Sequence, residues 1–278
     1  VSSVTLRLMQ RQKLQRVVEL VKIDDVMRRF EQRIAEGFLY GDCQFALDPA
    51  SEDFLRRGIF SCYKPVDPTT PIPDQQREIS EEQWLRLLYL AHADKTKAFE
   101  VYSGEYLTTN GQIYWSDTHQ ASYYPEGYHR SLDSKMKAGI PGSEMISELY
   151  VPRHELASFF ADMREDFRTH NVEAIYGTIR LIERDDESFL AWAKEPWACT
   201  VLNLHVSHTA DGIERAAAAF RRLIDLARKR GGSYFLTYHK WATRAQVEAC
   251  YPQFSEFLRL KRRHDPQERF QSDWYRHY

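Results

Sequence analysis

The fold is decided by the stretch CTVLNLHVSHTADGIERAAAAFRRLIDLARKRGGSYFLTY, which occupies residues 199–238. Apolar and polar residues alternate over Cys199–Val206, and this alternation predicts a strand. Asp211–Arg230 carries apolar residues on one face at helical spacing, so it predicts a helix, and the glycine pair that follows is typical of a helix end. Ser233–Tyr238 predicts a second strand. The stretch is therefore a strand–helix–strand unit.

The same order of elements occurs once upstream. Met145–Val151 predicts a strand, Leu156–Phe167 predicts a helix with one apolar face, and Ala174–Ile182 predicts a second strand. Two such units in succession predict an α+β fold of ferredoxin-like, duplicated βαβ units. We expect a large, mostly antiparallel sheet with helices on one face.

The first half of the chain is less regular. Val4–Leu8 predicts a strand, Asp24–Glu36 predicts a helix, and Cys43–Leu47 and Gly58–Tyr63 predict two further strands. Ser80 begins a capping box that opens another helix.

The segment Tyr102–Gly142 has a different composition, rich in tyrosine and poor in aliphatic residues. One interpretation is an irregular connection with half-buried rings. The other is the rim of a pocket, because aromatic rings and imidazoles suit a polar organic ligand.

Composition excludes several classes of function. The chain has 278 residues and a formal charge of −2, from 38 Lys and Arg against 40 Asp and Glu. A nucleic-acid binder usually has a basic excess, so we predict no nucleic-acid partner. No apolar run approaches the roughly 20 residues that span a bilayer, so we predict no membrane span. The four cysteines are far apart, which argues against a cysteine zinc site and favours reduced thiols in the cytoplasm. The ten histidines show no ligand spacing, and we predict no metal site.

Polar residues inside two of the predicted strands are the first candidates for a site. Arg180 stands in an otherwise apolar strand, where it either faces solvent or holds a hydroxylated or anionic substrate. Asn203, His205 and Ser207 lie on one side of their strand because side chains alternate with period two. This polar row is either solvated or lines a site.

The end of the last predicted strand supplies further candidates. Lys240 offers a positive charge near a developing anion, and Tyr238 or His239 could accept a proton. The alternative is a surface lysine beside an edge tyrosine.

The C-terminal stretch carries the most specific pattern. It consists of Tyr251-Pro252-Gln253-Phe254, Phe257, Leu260-Lys261, His264-Asp265-Pro266 and Phe270. This run resembles the end of the FAD-linked oxidases of the vanillyl-alcohol oxidase superfamily, in the branch with the sugar-lactone and alditol oxidases. Ser147–Arg153 is similar to a Pro-Arg segment of that family, and Val1–Leu14 is similar to the last strand of its flavin-binding domain.

The resemblance implies a domain order. Residues 1–14 would end an FAD-binding domain that lies upstream, 15–242 would form a substrate-binding cap domain, and 243–278 would form a helical tail that closes onto the flavin domain. FAD would be held mainly by the upstream domain, so this chain alone is expected to be inactive. A free cap would expose apolar surface, so a homodimer is a further expectation.

The resemblance also implies roles for individual residues. Arg180 corresponds to an arginine that contacts substrate in alditol oxidases, and Thr178 stands where those enzymes have a glutamate. Ser207 matches a threonine position, and Lys240 matches a lysine by the flavin. The implied reaction is hydride transfer from a small hydroxylated molecule to flavin N5, in which Lys240 would stabilise negative charge on the reduced flavin.

Two other classes of function remain open from the sequence. The chain could be a non-catalytic ligand-binding or interaction module with a ferredoxin-like fold. It could also be a freestanding enzyme of another class that uses its histidines for acid–base catalysis.

Overall fold

The computed structural model describes residues 3, 5, 6, 8, 10–117 and 126–278. Within these residues, eight strands form one sheet in which every neighbouring pair is antiparallel. The strands are β1 Lys13–Lys22, β2 Tyr40–Phe45, β3 Arg57–Pro65, β4 Ile113–Trp115, β5 Gly142–Pro152, β6 Ala174–Ile182, β7 Trp197–Ser207 and β8 Ser233–Tyr234. Their order across the sheet is β4-β1-β3-β2-β6-β7-β5-β8.

The described residues also form nine α-helices. They are α1 Val26–Ala35, α2 Glu81–Ala93, α3 Lys95–Thr108, α4 Tyr128–Met136, α5 Leu156–His170, α6 Ala210–Arg228, α7 Arg244–Cys250, α8 Phe254–His264 and α9 Asp273–His277. Short 3-10 turns, Ile23–Asp25 and Arg153–Glu155, lead into α1 and α5. None of these helices is long and apolar enough to cross a membrane.

The main core lies between one face of the sheet and helices α1, α5 and α6. Phe30 of α1 packs edge-on against Phe60 at 4.8 Å, and Phe160 of α5 does the same against Phe45 at 5.0 Å. Phe220 of α6 is fully buried in the same core. Burying side chains of this size removes apolar area from water, and each contributes about 1.5–3 kcal/mol.

The predicted α+β fold with a large antiparallel sheet is confirmed. Both strand–helix–strand units are present, and their helices α5 and α6 pack on the same sheet face. Helices α2 and α3 add cover to part of the other face, where Tyr106 is buried against Val18 and Ile59. The C-terminal tail is helical, and its Phe254 is buried in the main core.

Two strand predictions are wrong. In the predicted strand Val4–Leu8, the described residues Thr5, Leu6 and Leu8 form no strand, and Val4 and Arg7 lie outside the described residues. The first described strand is β1, in which residues at alternate positions are buried. The last strand ends at Tyr234 instead of Tyr238. The Tyr251 hydroxyl donates to the Tyr234 carbonyl, the Phe235 N–H still donates to the Glu148 carbonyl of β5, and the chain then turns at 236–237.

The prediction of an irregular segment over Tyr102–Gly142 is wrong over much of its length. It contains the end of α3, the short strand β4 and helix α4. Helix α3 buries Ser103 and Tyr106, whereas β4 and α4 each bury a single aliphatic residue, Ile113 and Leu132, so none of the three has a clear aliphatic period. Residues 118–125 of this segment, including His119, Tyr123 and Tyr124, lie outside the described residues.

Candidate functional site

A polar surface covers the sheet face opposite α5 and α6. We call it the polar face and define it by side chains of β2, β5, β6 and β7. They are Asp42, Gln44, Glu144, Glu148, Tyr176, Thr178, Arg180, Asn203, His205 and Ser207. Directly paired residues of neighbouring strands point to the same face. Gln44 is paired with Thr178, Tyr176 with Asn203, and Glu144 with His205.

The structure therefore places five of the predicted site residues on one face of the sheet. Arg180 and Thr178 come from β6, and Asn203, His205 and Ser207 come from β7. Arg180 is paired with Cys199, and His205 lies six positions further along β7, so these residues do not form a single cluster. Their predicted roles in substrate binding stay predictions.

Asp42 lies on β2, at one side of the polar face, and was missed by the sequence analysis. Its Oδ2 accepts hydrogen bonds from Gln44 Nε2 at 3.1 Å and from Thr178 Oγ1 at 3.4 Å. Burial raises the pKa of Asp42 from 3.8 to about 6, against the opposing influence of Arg180 and the two donors. The carboxyl group is thus ionised at neutral pH and can still take up a proton.

Arg180 is close enough to influence the charge of Asp42, yet it is not paired with it. Among the described residues, the partly buried Arg180 guanidinium makes no hydrogen bond and no ion pair. The arrangement leaves the five N–H donors of Arg180 available to a ligand.

Tyr238 faces the same region from the turn that follows β8. Its hydroxyl donates to Glu148 Oε1 at 3.0 Å, while the Tyr150 hydroxyl donates to Glu148 Oε2 at 2.8 Å. Burial and the nearby Glu148 raise the pKa of Tyr238 to about 12. Tyr238 is therefore a protonated phenol at neutral pH, which suits a hydrogen-bond donor better than a proton acceptor.

An apolar cavity of about 130 Å³ lies next to the part of the polar face that contains Gln44 and Tyr176. It lies between helices α2 and α3 and the strands β2 and β6, and Trp84, Leu88 and Phe99 form its apolar walls. Gln44 and Tyr176 line its sheet side, and Gln44 Nε2 donates to both the Tyr176 hydroxyl and Asp42. Gln44 thus connects the apolar cavity to Asp42 through one hydrogen bond.

His239 and Lys240 lie elsewhere. His239 is 6% exposed and packs against Phe220 and Trp241, on the face that α6 covers. Lys240 is exposed and lines a groove with Trp241 and Tyr278, next to the C-terminal helices. The structure does not bring these two residues together with Arg180. Their catalytic and flavin-binding roles stay predictions without support from this geometry.

The environment of His239 predicts a pH-dependent stability. The Trp241 backbone N–H donates to His239 Nδ1, so Nε2 carries the proton that faces Ser147 Oγ at 3.3 Å. Burial lowers the pKa of His239 to about 4, below the 6.5 of an exposed histidine. The unfolded chain therefore binds the proton first, and stability is lost as pH falls from 6.5 to 4, by about 3 kcal/mol.

We expect the variant His239→Gln to lose this component. The measurement is the free energy of unfolding in urea at pH 7.5 and at pH 4.5 for both proteins. The difference between wild type and variant should shrink by about 2–3 kcal/mol at the lower pH. A difference that does not change with pH would show that His239 titrates normally in the folded protein.

A second polar cluster lies at the end of β5 and β7 and was also missed. Glu144 Oε1 is 3.2 Å from His205 Nδ1 and 3.3 Å from His92 Nε2, and Glu144 Oε2 accepts from the Tyr128 hydroxyl at 2.6 Å. Burial alone would raise the pKa of Glu144, but these contacts outweigh it and hold the pKa well below its usual range. Period-two alternation along β5 could have placed Glu144 beside His205, whereas nothing in the sequence placed His92 there.

Comparisons with known proteins support the fold. No protein-family model and no curated protein sequence matches the chain. A solved structure titled "Solvent-stable cholesterol oxidase" is similar, with a TM-score of 0.51 and 11% sequence identity. The match covers 81% of this chain and 48% of that protein, so this chain spans about half the length of its structural neighbour. At this identity the likeness shows a shared fold.

Proposed function

We propose that this chain is the substrate-binding part of an FAD-dependent oxidase that oxidises a hydroxylated molecule with an apolar body. The observation that carries the proposal is Arg180, which lies near Asp42 and has no hydrogen-bond or ion-pair partner among the described residues. Gln44 donates to Asp42 and lines an apolar cavity. Such a substrate needs a cation near its oxygen, a carboxyl group that can take up its proton, and an apolar space for its body.

The fold likeness is in keeping with this proposal. The structural neighbour is named as a cholesterol oxidase, and cholesterol is an alcohol with a large apolar body. The C-terminal pattern that ends in Phe270 resembles that of FAD-linked oxidases. The domain order implied by that resemblance, with residues 1–14 leaving a flavin domain and residues 15–242 forming the cap, is part of the proposal.

In this proposal the residues of the polar face bind, orient and deprotonate the substrate. The apolar body occupies the cavity between α2 and β6, which excludes water from one side of the molecule. Arg180 donates hydrogen bonds to the hydroxyl oxygen and stabilises the negative charge that develops there. Asp42 accepts the hydroxyl proton, because its pKa of about 6 keeps it ionised at neutral pH.

In this proposal the chain lies against the flavin end of FAD, and not against its pyrophosphate. Bound FAD would supply the hydride acceptor. Arg180, which has no hydrogen-bond or ion-pair partner among residues 10–117 and 126–278, suits a group that gains negative charge. The sequence holds no glycine-rich phosphate loop, so the pyrophosphate would be held by the proposed upstream domain. The surface that contacts that domain could also pair with a second copy of this chain.

The test uses the full-length protein proposed to contain this chain. Under anaerobic conditions, an alcohol with a large apolar body should bleach the flavin absorption band, and glycerol should bleach it far more slowly. Arg180→Met should slow this reduction at least about 100-fold, because it removes a charge that acts on the developing anion.

Arg184→Met is the matched control, since Arg184 is exposed and pairs with Asp186 at 2.6 Å. It should reduce the flavin at the wild-type rate. A full-length protein without flavin that still binds the alcohol in an Arg180-dependent way would establish the alternative, a non-catalytic ligand-binding module. Equal rates for Arg180→Met and wild type would remove the polar face from the reaction.

A further inference from the structure

We propose that His92, Glu144 and His205 form a binding site for one divalent transition-metal ion, with Zn²⁺ as the ion that fits best. The proposal does not depend on the oxidase function. The three residues come from α2, β5 and β7, so only the folded chain brings them together. Their ligand atoms, two imidazole nitrogens and one carboxylate oxygen, all lie within 4.8 Å of one another.

The two distances from Glu144 to the histidines match those of a tetrahedral site. Zinc bound by nitrogen and oxygen at about 2.0–2.1 Å places neighbouring ligand atoms roughly 3.3 Å apart. Glu144 Oε1 lies 3.3 Å from His92 Nε2 and 3.2 Å from His205 Nδ1. Two imidazoles and one carboxylate, with no thiolate, form the ligand set of many zinc sites that keep an open fourth position.

A hydrogen-bond network alone does not account for this cluster. The side chains of His92 and Glu144 are each 8% exposed, and His92 Nε2 is fully enclosed. His92 Nε2 lies 3.3 Å from Glu144 Oε1, but the direction of its ring nitrogen does not fit a hydrogen bond to that oxygen or to any other described residue. An enclosed imidazole nitrogen without a hydrogen bond is costly, and a metal ion would satisfy its lone pair.

The surroundings also fit a ligand site. The Tyr128 hydroxyl donates to Glu144 Oε2 at 2.6 Å and so fixes the orientation of the carboxylate, as outer partners of metal ligands do. Gly142 provides the space for the His205 ring, because a Cβ at that position would lie 2.3 Å from His205 Cε1. A bound ion would link α2, which forms one wall of the cavity, to strands β5 and β7.

The test is a titration of the 278-residue chain, with any purification tag removed, with Zn²⁺ alone in a calorimeter. We expect one ion per chain. His92→Gln should weaken binding by roughly 100-fold or more, and Tyr128→Phe, which keeps all three ligands, should weaken it by about 10-fold. Co²⁺ should give a visible absorption band with wild type that is absent with His92→Gln.

His170→Gln is the matched control. His170 is an exposed histidine whose Nε2 lies 3.7 Å from Asp166 Oδ1, so this variant also removes a histidine beside a carboxylate. It should bind Zn²⁺ as wild type does. The absence of stoichiometric Zn²⁺ binding by the folded wild-type chain would overturn the proposal, and so would equal affinity of wild type and His92→Gln.

Discussion

Asp42→Asn is expected to raise the free energy of unfolding at pH 8 by about 3 kcal/mol. Burial shifts the pKa of Asp42 from 3.8 in the unfolded chain to about 6 in the folded protein. The ionised carboxyl group is therefore less favourable in the folded protein than in the unfolded chain. The resulting loss in the free energy of unfolding is absent below pH 3.8, grows as pH rises, and is complete above pH 6. Asparagine keeps the shape and removes the charge.

The measurement is urea unfolding of wild type and Asp42→Asn at pH 4 and at pH 8. The variant's advantage should nearly vanish at the lower pH. Asp53→Asn is a suitable control, because Asp53 is close to half exposed and pairs only with Arg57 at 3.5 Å. A variant that is destabilised at pH 8 would show that Asp42 stabilises the folded state.

The same substitution also tests the proposed chemistry. If Asp42 accepts the substrate proton, as the proposed function requires, Asp42→Asn in the full-length protein should lower the rate of flavin reduction by about 10²–10⁴-fold. The wild-type rate should fall as pH drops below 6, where the carboxyl group becomes protonated. A more stable and less active variant would identify Asp42 as a functional residue that is held at a cost to the fold.

Gly232→Ala is expected to lower the free energy of unfolding by about 3 kcal/mol or more. A Cβ at this position would lie 2.0 Å from the carbonyl oxygen of Tyr150 and 2.7 Å from that of Ala227. The Gly232 N–H also donates to the Ala227 carbonyl at 2.9 Å. Neither backbone can move away without breaking the end of α6 or the pairing of β5 with β8.

Gly231→Ala provides the contrast within the same glycine pair. Gly231 has a φ of +77°, and no atom lies within 4 Å of its would-be Cβ. Its substitution should cost only about 1 kcal/mol, the penalty of a left-handed conformation for alanine. Urea unfolding of the two single variants measures the difference, and equal losses would contradict the close approach of β5 at Gly232.

Local signals in the sequence were reliable where neighbours along the chain decide the structure. The Ser80 capping box is present, with Gln83 N–H donating to Ser80 Oγ and Ser80 N–H donating to Gln83 Oε1. The glycine pair ends α6 as predicted. The register of β6 and β7 places Arg180 and Asn203 on one face, as period-two alternation requires.

Local signals failed where a distant residue decides the outcome. Tyr238 was assigned to a strand, but the strand ends at Tyr234, whose carbonyl accepts a hydrogen bond from the distant Tyr251 hydroxyl. His239 was offered as a site residue, but its ring points into the core beneath α6. In both cases the pattern along the chain was compatible with more than one environment.

The sequence by itself determined the two strand–helix–strand units and the face of each strand on which polar residues lie, because these depend on residues a few positions apart. Only the tertiary structure decided which polar residues meet. Thr178 and Asp42 are 136 positions apart and share a hydrogen bond, since β2 pairs with β6. Strand order results from the packing of the whole core, so no local period could place Asp42 beside Arg180 or His92 beside Glu144.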